Sequence, residues 1–571
     1  MEMEAQTMEE TEKAGAIIKN KVADPSEVEV VNGVSWQCPV YVKRMPPCRS
    51  ECPSSEDIRG YLTYIGQAET FDREHEESVD EAWHILTDKK PFPAVHGRNC
   101  PHPCEDGCNR QHKDSSVAIN NMERYIGDHG LKRGLKFKKI TDKTRDQKVA
   151  IIGAGPSGLS CAFQMARRGY PVTVFESAEK PGGMLRYGIP SYRLPEDILD
   201  AEIQNIIDLG VELKCGVKIG EDVSFEQLKS DYDVVYVAVG AQKGSNMKIE
   251  GEDSGKVLSG VDFLRRINMG ETVNVGKKVM VVGGGNTAID AARVSRRLGA
   301  EVTILYRRTR NEMPAIAHEI DESEKEGIKL EILGAPVAIK EDGGSLAVTC
   351  IKMELGEKDS SGRARPEPVE GSEYTVEVDT VIAAVGQQPD LTGMDEIANE
   401  WGWIDDAATR KTGVDGVYAG GDVVNLDIAT TAVGHGRRAA QVMDAHLNNA
   451  EVKDIPRVRP IKHDELRLDY YDEAPRNNET ELPAAERIKG FDEVNQALPM
   501  EAAIAEAKRC MSCGLCFFCD QCRVYCPMEA IERDKKRPVG QMMFTDYTKC
   551  VGCHICAQVC PSGYIEMGMG L

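Results

Sequence analysis

The chain has 571 residues, 41% of them hydrophobic and 6% aromatic, with 53 glycines and a formal net charge of −23. It is too long for one core, and its composition fits a multidomain α/β protein rich in tight turns, not a disordered or fibrous one. The acidity excludes nucleic acid as a partner, because phosphate contacts need basic patches. No apolar run approaches the roughly 18 residues of a membrane span, so a cytoplasmic chain without a membrane span is expected.

Residues 1–30, beginning "MEMEAQTMEETEKAG", are expected as an acidic arm and do not read as a signal peptide. Residues 31–145 are expected as a helical domain holding Cys38, Cys48, Cys52, Cys100, Cys104 and Cys108. Nineteen cysteines without an export signal are not a disulfide framework. A zinc site would use four of these six and leave two over, so iron–sulfur ligation is the preferred reading. Cys161, Cys215 and Cys350 stand alone in apolar stretches and read as small core residues.

"KVAIIGAGPSGLSCAFQMARRGYPVTVFES" reads as strand, glycine turn, helix and second strand. Gly153, Gly155 and Gly158 fill the G-x-G-x-x-G places: one for the turn, one for close approach to a pyrophosphate, one for helix packing on the strand. Glu176 ends the second strand, where a carboxylate binds a ribose hydroxyl. The pattern returns in "KKVMVVGGGNTAIDAARVSRRLGAEVTILYRRTRNEMP" with Gly283, Gly285, Asn286 and Thr287 at the turn. Here the second strand ends in Arg307 and Arg308 instead of an acid, which favours a 2′-phosphate and so NADP(H) over NAD(H).

"GVYAGGDVVNLDIATTAVGHGRRAA" supplies Gly421 and Asp422 after a strand and Thr431 at a helix start, a setting that holds a flavin and places a helix N-terminus at its ring. The expected architecture is an FAD domain of 146–262 and 379–450 with an NAD(P)H domain, 263–378, inserted in it. No Cys-x-x-Cys lies beside the flavin motifs, so a dithiol mechanism is disfavoured and electrons must leave the flavin by another route.

Residues 451–505 are charged, proline-bearing and without clear periodicity, and are expected as a surface linker that ends in a short helix after Pro499. From 506 to 571 the run C-x₂-C-x₂-C-x₃-C-P occurs twice. This is the pattern of a bacterial two-cluster ferredoxin, in which each run's fourth cysteine serves the other cluster. One cluster is expected on Cys516, Cys519, Cys522 and Cys560, the other on Cys550, Cys553, Cys556 and Cys526.

The strings "GAGPSGL", "ESAEKPGGMLRYGIPSYRLP" (which contains Gly183), "GGGNTAID", "YRRTRNEMPA" and "YAGGD" resemble the small subunit of NADPH-dependent glutamate synthase and its relatives. The resemblance spans about residues 36–450. It implies disulfide-oxidoreductase-like Rossmann domains binding FAD and NAD(P)H, hydride transfer to the flavin, and one-electron transfer to clusters. It also implies two N-terminal 4Fe–4S clusters, making four in all. Cys52, Cys100 and Cys104 with Glu123 match the cluster nearer the flavin. Cys48 and Cys108 match two ligands of the other, whose Cys-x-x-Cys pair is absent upstream. The family's Glu-Ala-x-Arg-Cys-x-x-Cys-Gly string recurs at Cys510 and Cys513, so either this pair completes the set or Cys38 takes part.

In domain order the whole chain is similar to the DsrL-type flavoproteins that serve dissimilatory sulfite reductase. The expected partner is therefore a redox protein, sulfite reductase among the candidates, and a homodimer is allowed. A glutamate synthase small subunit, an electron-bifurcating transhydrogenase subunit and a non-enzymatic iron–sulfur scaffold are the rival readings. Intact glycines at both dinucleotide loops count against the last.

Overall fold

A computed structural model describes residues 36–358, 362–405, 407–452, 458–534, 536 and 540–569. The arm expected at 1–30 lies outside the described residues. The chain divides into two compact units, one of Pro47–Arg457 with Ala474–Cys510, the other of Met1–Pro46, Val458–Glu473 and Met511–Leu571.

The larger unit opens with helices, among them Ile58–Gly66, His75–Thr87, Pro93–Asn99 and Ile119–Arg133. The last two cross in backbone contact. A Cβ on Gly97 would lie 2.3 Å from the Arg124 Cα, and one on Gly127 would lie 2.3 Å from the Ala94 nitrogen. Only glycine allows that approach. Helix Pro93–Asn99 begins on a proline, and its first free amides, Ala94 and Val95, donate to the two oxygens of Glu202 at 2.8 and 3.0 Å. Glu202 belongs to helix Glu196–Ile207 of the neighbouring Rossmann layer. The helix that leads into Cys100 is thus fixed at both faces.

Two five-stranded parallel sheets follow. The first runs in the order Val417–Ala419, Val234–Val237, Val149–Ile152, Val172–Glu176, Glu212–Cys215. Its inner strands are buried throughout, as parallel strands covered on both faces must be. The second runs Lys329–Ile332, Glu301–Tyr306, Lys278–Val282, Thr380–Ala383, Val257–Ser259. An antiparallel layer built on the hairpin Gly334–Asp342 and Ser345–Lys358 adjoins it.

Two boundaries move from their expected places. Strands Val257–Ser259 and Thr380–Ala383, assigned above to the flavin domain, complete the second sheet. The crossover lies instead at the ribbon Lys243–Gly244 with Gln387–Gln388. The linker expected at 451–505 is folded: residues 458–473 join the smaller unit and 474–505 the larger. In the latter stretch, Thr480–Glu481 pairs with Asn495–Gln496, and the Val494 amide donates to the Tyr192 carbonyl at 3.0 Å. The helix expected after Pro499 is Met500–Lys508, with Pro499 at its N-cap. Arg487 of this stretch is buried against carboxylates of another helix, a partnership that composition alone does not reveal.

The smaller unit is built on the pairs Cys38–Tyr41 with Ile565–Gly568 and Ile531–Arg533 with Met543–Thr545, both antiparallel. Residues 36–46, expected with the helical domain, therefore belong to the ferredoxin module. Tyr41 and Tyr547 reinforce the junction, through Thr545 Oγ1 at 2.8 Å and the Pro39 carbonyl at 3.0 Å.

In the larger unit Arg487 is buried, ion-paired to Glu322, with Glu481 at 3.3 Å and Glu326 at 3.4 Å. Removing one partner of such a set leaves buried charge without compensation. Arg487→Met is expected to destabilise this unit by about 3–5 kcal/mol, read as a fall in its thermal or denaturant midpoint.

Candidate functional site

The first dinucleotide loop leaves strand Val149–Ile152 and enters helix Pro156–Arg167. Gly153 has φ +103°, and a Cβ on Gly158 would lie 1.9 Å from the Gly153 oxygen, so both glycines are required by the turn itself. Gly155 differs: a Cβ there would meet only the Gly183 Cα, at 3.9 Å. Gly155 and Gly183 thus bound an approach free of side chains at a helix N-terminus, where a pyrophosphate is stabilised. Glu176 ends its strand buried, accepting from the Ala154 amide at 2.7 Å and the Ala178 amide at 2.8 Å, which fixes its carboxylate beside the loop.

Gly421 brings the third segment onto this loop, since a Cβ there would lie 2.8 Å from the Ser157 Cβ. Its amide donates to His435 Nδ1 at 3.1 Å. Burial pushes the Asp422 carboxyl up to about 6. Thr431 lies in the first turn of helix Ala429–Leu447. The structure therefore carries Gly153, Gly155, Gly158, Glu176, Gly183, Gly421, Asp422 and Thr431 on segments that follow the C-terminal ends of strands of the first sheet.

The second loop repeats the geometry between strand Lys278–Val282 and helix Asn286–Arg297, with Gly283 at φ +144° and Gly285 again free of close neighbours. Asn286 Oδ1 accepts the Ile316 amide at 3.0 Å, and Thr287 Oγ1 accepts from Gln387 at 3.2 Å. The two arginines part ways. Arg307 is exposed, whereas Arg308 is buried and its Nε donates to the Ala364 carbonyl at 2.8 Å. Arg308 was expected as a nucleotide ligand; the structure engages it with the neighbouring antiparallel layer, and Arg307 is left as the arginine facing solvent.

Cys52, Cys100 and Cys104 lie together in the helical domain. Burial raises the Cys104 thiol, and Cys52 and Cys100 beside it raise it further. Glu123 faces Cys52 and Cys100 from helix Ile119–Arg133. Thr430, the second residue of helix Ala429–Leu447, donates from Oγ1 to Cys100 Sγ at 3.2 Å. A Cβ on Gly434 of that helix would lie 2.5 Å from the Pro53 oxygen, so helix and cysteine loop are in backbone contact. Three residues at this pocket were missed by the sequence reading: Thr430, Glu56 and Lys90. None belongs to a spacing pattern, and Glu56 and Lys90 read as surface charges.

Cys48, Cys108 and Cys510 pack at the edge of the same core. Arg110 lies beside both Cys108 and Cys510. The string before Cys510 is anchored: Glu506 is fully buried and accepts the Ala118 amide at 2.7 Å, while Arg509 reaches Asp114 at 3.0 Å and the Ser115 carbonyl at 2.7 Å. Cys513 belongs to the smaller unit. So does Cys38, whose thiol lies beside Cys550 in the ferredoxin module. Of the isolated cysteines, Cys161 and Cys350 are buried as expected; Cys215, at a strand end, is half-buried.

In the smaller unit Cys516, Cys519, Cys522 and Cys560 line one apolar pocket. Cys526, Cys550, Cys553 and Cys556 line a second. The two loops share one backbone course: Phe518 and Asp520 in the first, Gly552 and His554 in the second, all have φ between 63° and 66°. Such left-handed residues turn successive amides inward, a geometry that holds anions. Burial pushes Cys516 up to about 11 and Cys519 and Cys556 up to about 12, so they become thiolates as metal replaces the proton. Four thiols around each cavity, and a glycine-walled approach at each loop, fit 4Fe–4S clusters and dinucleotides respectively.

The chain matches family models for pyridine nucleotide-disulphide oxidoreductases over residues 147–436, for the 4Fe-4S cluster domain II of dihydropyrimidine dehydrogenase over 35–135, and for a 4Fe-4S binding domain over 543–566. It is 38% identical over 515 residues to the NADPH-Fe(3+) oxidoreductase subunit beta of Geobacter sulfurreducens, covering 82% of this chain and 75% of that one. It is 39% identical over 511 residues to the NADP(+)-dependent formate dehydrogenase subunit beta of Moorella thermoacetica, covering 82% and 70%. With the small chain of Escherichia coli glutamate synthase [NADPH] it shares 33% identity over 434 residues, 71% of this chain and 89% of that one.

Gly155 has an ordinary backbone conformation, φ −83°, so a side chain there fills the approach without straining the turn. Gly155→Val is expected to leave the fold and the iron intact while FAD is lost, measured as flavin absorbance per mole of purified protein. Full flavin content in that variant would contradict the assignment of this loop.

Proposed function

The chain belongs to the glutamate synthase small-subunit-like family of FAD and iron–sulfur NADPH oxidoreductases, and from that premise we propose that it is a cytoplasmic subunit passing electrons between NAD(P)H and a redox protein partner. The observation that carries this reading is the hydrogen bond from Thr430, at the N-terminus of the flavin-side helix, to Cys100. In this reading it links the flavin's helix to a ligand of the nearest cluster, which supports a direct route between the two-electron and one-electron sites. FAD, when bound, accepts hydride as an electron pair and releases electrons singly, and 4Fe–4S clusters carry them one at a time.

In this reading Gly153, Gly155, Gly158, Glu176, Gly183, Gly421, Asp422 and Thr431 hold FAD. Gly283, Gly285, Asn286, Thr287 and Arg307 hold the nicotinamide nucleotide, with Arg307 on the 2′-phosphate. Four clusters are proposed. Cys52, Cys100, Cys104 and Glu123 hold the one nearer the flavin. Cys48, Cys108 and Cys510 hold the second, with Cys513 as the fourth ligand on the strength of the Cys-x-x-Cys spacing. The two ferredoxin runs hold the remaining pair with exchanged fourth cysteines.

The partner supplies the terminal chemistry. Relatives named as the beta subunits of an iron(III) oxidoreductase and of a formate dehydrogenase support a partnered role, and the resemblance in domain order nominates dissimilatory sulfite reductase. Co-purification from native cells tests the nomination; a different redox enzyme in the complex replaces it.

Anaerobic addition of NADPH is expected to bleach the flavin at once, and no spectral change would sink the proposal in favour of a scaffold. Arg307→Ala is expected to weaken NADPH by roughly tenfold or more relative to NADH, the scale of a lost charged hydrogen bond. Cys513→Ala is expected to remove about a quarter of the iron, one cluster in four; unchanged iron and spectra would remove Cys513 from the ligand set.

A further inference from the structure

Lys90 is 1% exposed and lies between two carboxylates, with Glu56 Oε1 2.5 Å from its Nζ and Glu123 in direct contact. Glu56 is itself 1% exposed and its Oε1 lies 3.7 Å from Cys52 Sγ. A lysine so buried is retained as a cation only because anions surround it. The arrangement is more than a stability device. An ion pair remote from any site would have no reason to join two groups of one ligand set, yet Glu56 touches Cys52 while Lys90 touches Glu123.

We infer that Lys90 and Glu56 are positioning residues for the flavin-proximal cluster: Lys90 holds one oxygen of Glu123 and so fixes the orientation of its carboxylate, and the two opposite charges act on the cluster's reduction potential with opposite signs. The inference rests on the reading of Cys52, Cys100, Cys104 and Glu123 as ligands. Three thiolates and a carboxylate make the site anionic, and each electron taken up adds a negative charge in surroundings of low dielectric. Lys90 favours that electron, Glu56 opposes it, and together they nearly cancel. Cys52, once a thiolate, faces the Glu56 carboxylate, and Lys90 is the cation that makes the contact tolerable.

Charges acting through space give shifts of opposite sign, which damage to the fold does not. The test is an EPR-monitored redox titration of the whole protein, with iron content measured for each variant. The signal of this cluster is identified as the one missing from Cys104→Ala. Glu56→Gln is expected to move its midpoint to higher potential, Lys90→Met to lower potential, and Lys90→Arg to restore it close to that of the parent. Because Lys90→Met leaves Glu56 buried without its cation and can unload the cluster, the double variant Lys90→Met/Glu56→Gln carries the same test, with a midpoint returning toward the parent value. Unchanged midpoints, or shifts of one sign in both single variants, would overturn the electrostatic role. A Cys104→Ala protein that keeps all its iron and every signal would instead overturn the ligand reading, and the role falls with it.

Discussion

Thiolates and carboxylates gathered in a dry pocket repel one another, and this chain, already at −23, must hold several such groups at once. The larger unit meets that constraint with local cations and backbone contact. Lys90 lies among the anions of the flavin-proximal pocket, and Arg110 lies beside Cys108 and Cys510. The glycine crossing of helices Pro93–Asn99 and Ile119–Arg133 leaves no slack through which the ligands could separate. Net charge therefore says little about a pocket; what counts is the cation a few ångströms away.

The same logic explains why the flavin-side helix is anchored where it is. It is tied on one side to Gly421, whose amide donates to His435, and on the other to Cys100 through Thr430. Gly434, one turn further on, meets the Pro53 backbone. A helix held at these points cannot shift relative to either site, which suits a step whose rate depends on distance. Arg308 is held in a similar way in the nucleotide layer, where its Nε donates to the Ala364 carbonyl of the neighbouring strand.

What could be read from the sequence was local. The spacing of each cysteine run reports a loop that wraps one pocket, and the two-run pattern already groups Cys560 with the first run and Cys526 with the second, the grouping found in the pocket linings. The glycine loops were legible for the same reason, since turn, helix start and strand end lie within a short window. Pairings across the chain were not. Nothing near Val257 announces that it pairs with Val381, so the domain boundary was misplaced. Nothing near Arg487 announces Glu322 and Glu326, so a folded segment was read as a linker. Lys90 and Glu56 gave no signal because each alone looks like a solvated charge, and only the fold brings them together.

The strand Cys38–Tyr41 lies against Ile565–Gly568, which has a consequence for biogenesis. A two-stranded pair with both Rossmann layers between its partners is a contact of very high sequence separation. During synthesis the first strand emerges long before its partner. Until then, residues 38–41 present open amides and carbonyls, an edge that invites other strands. The smaller unit therefore closes only after the intervening Rossmann layers have been made, so those layers can fold first and the open edge has to be guarded meanwhile.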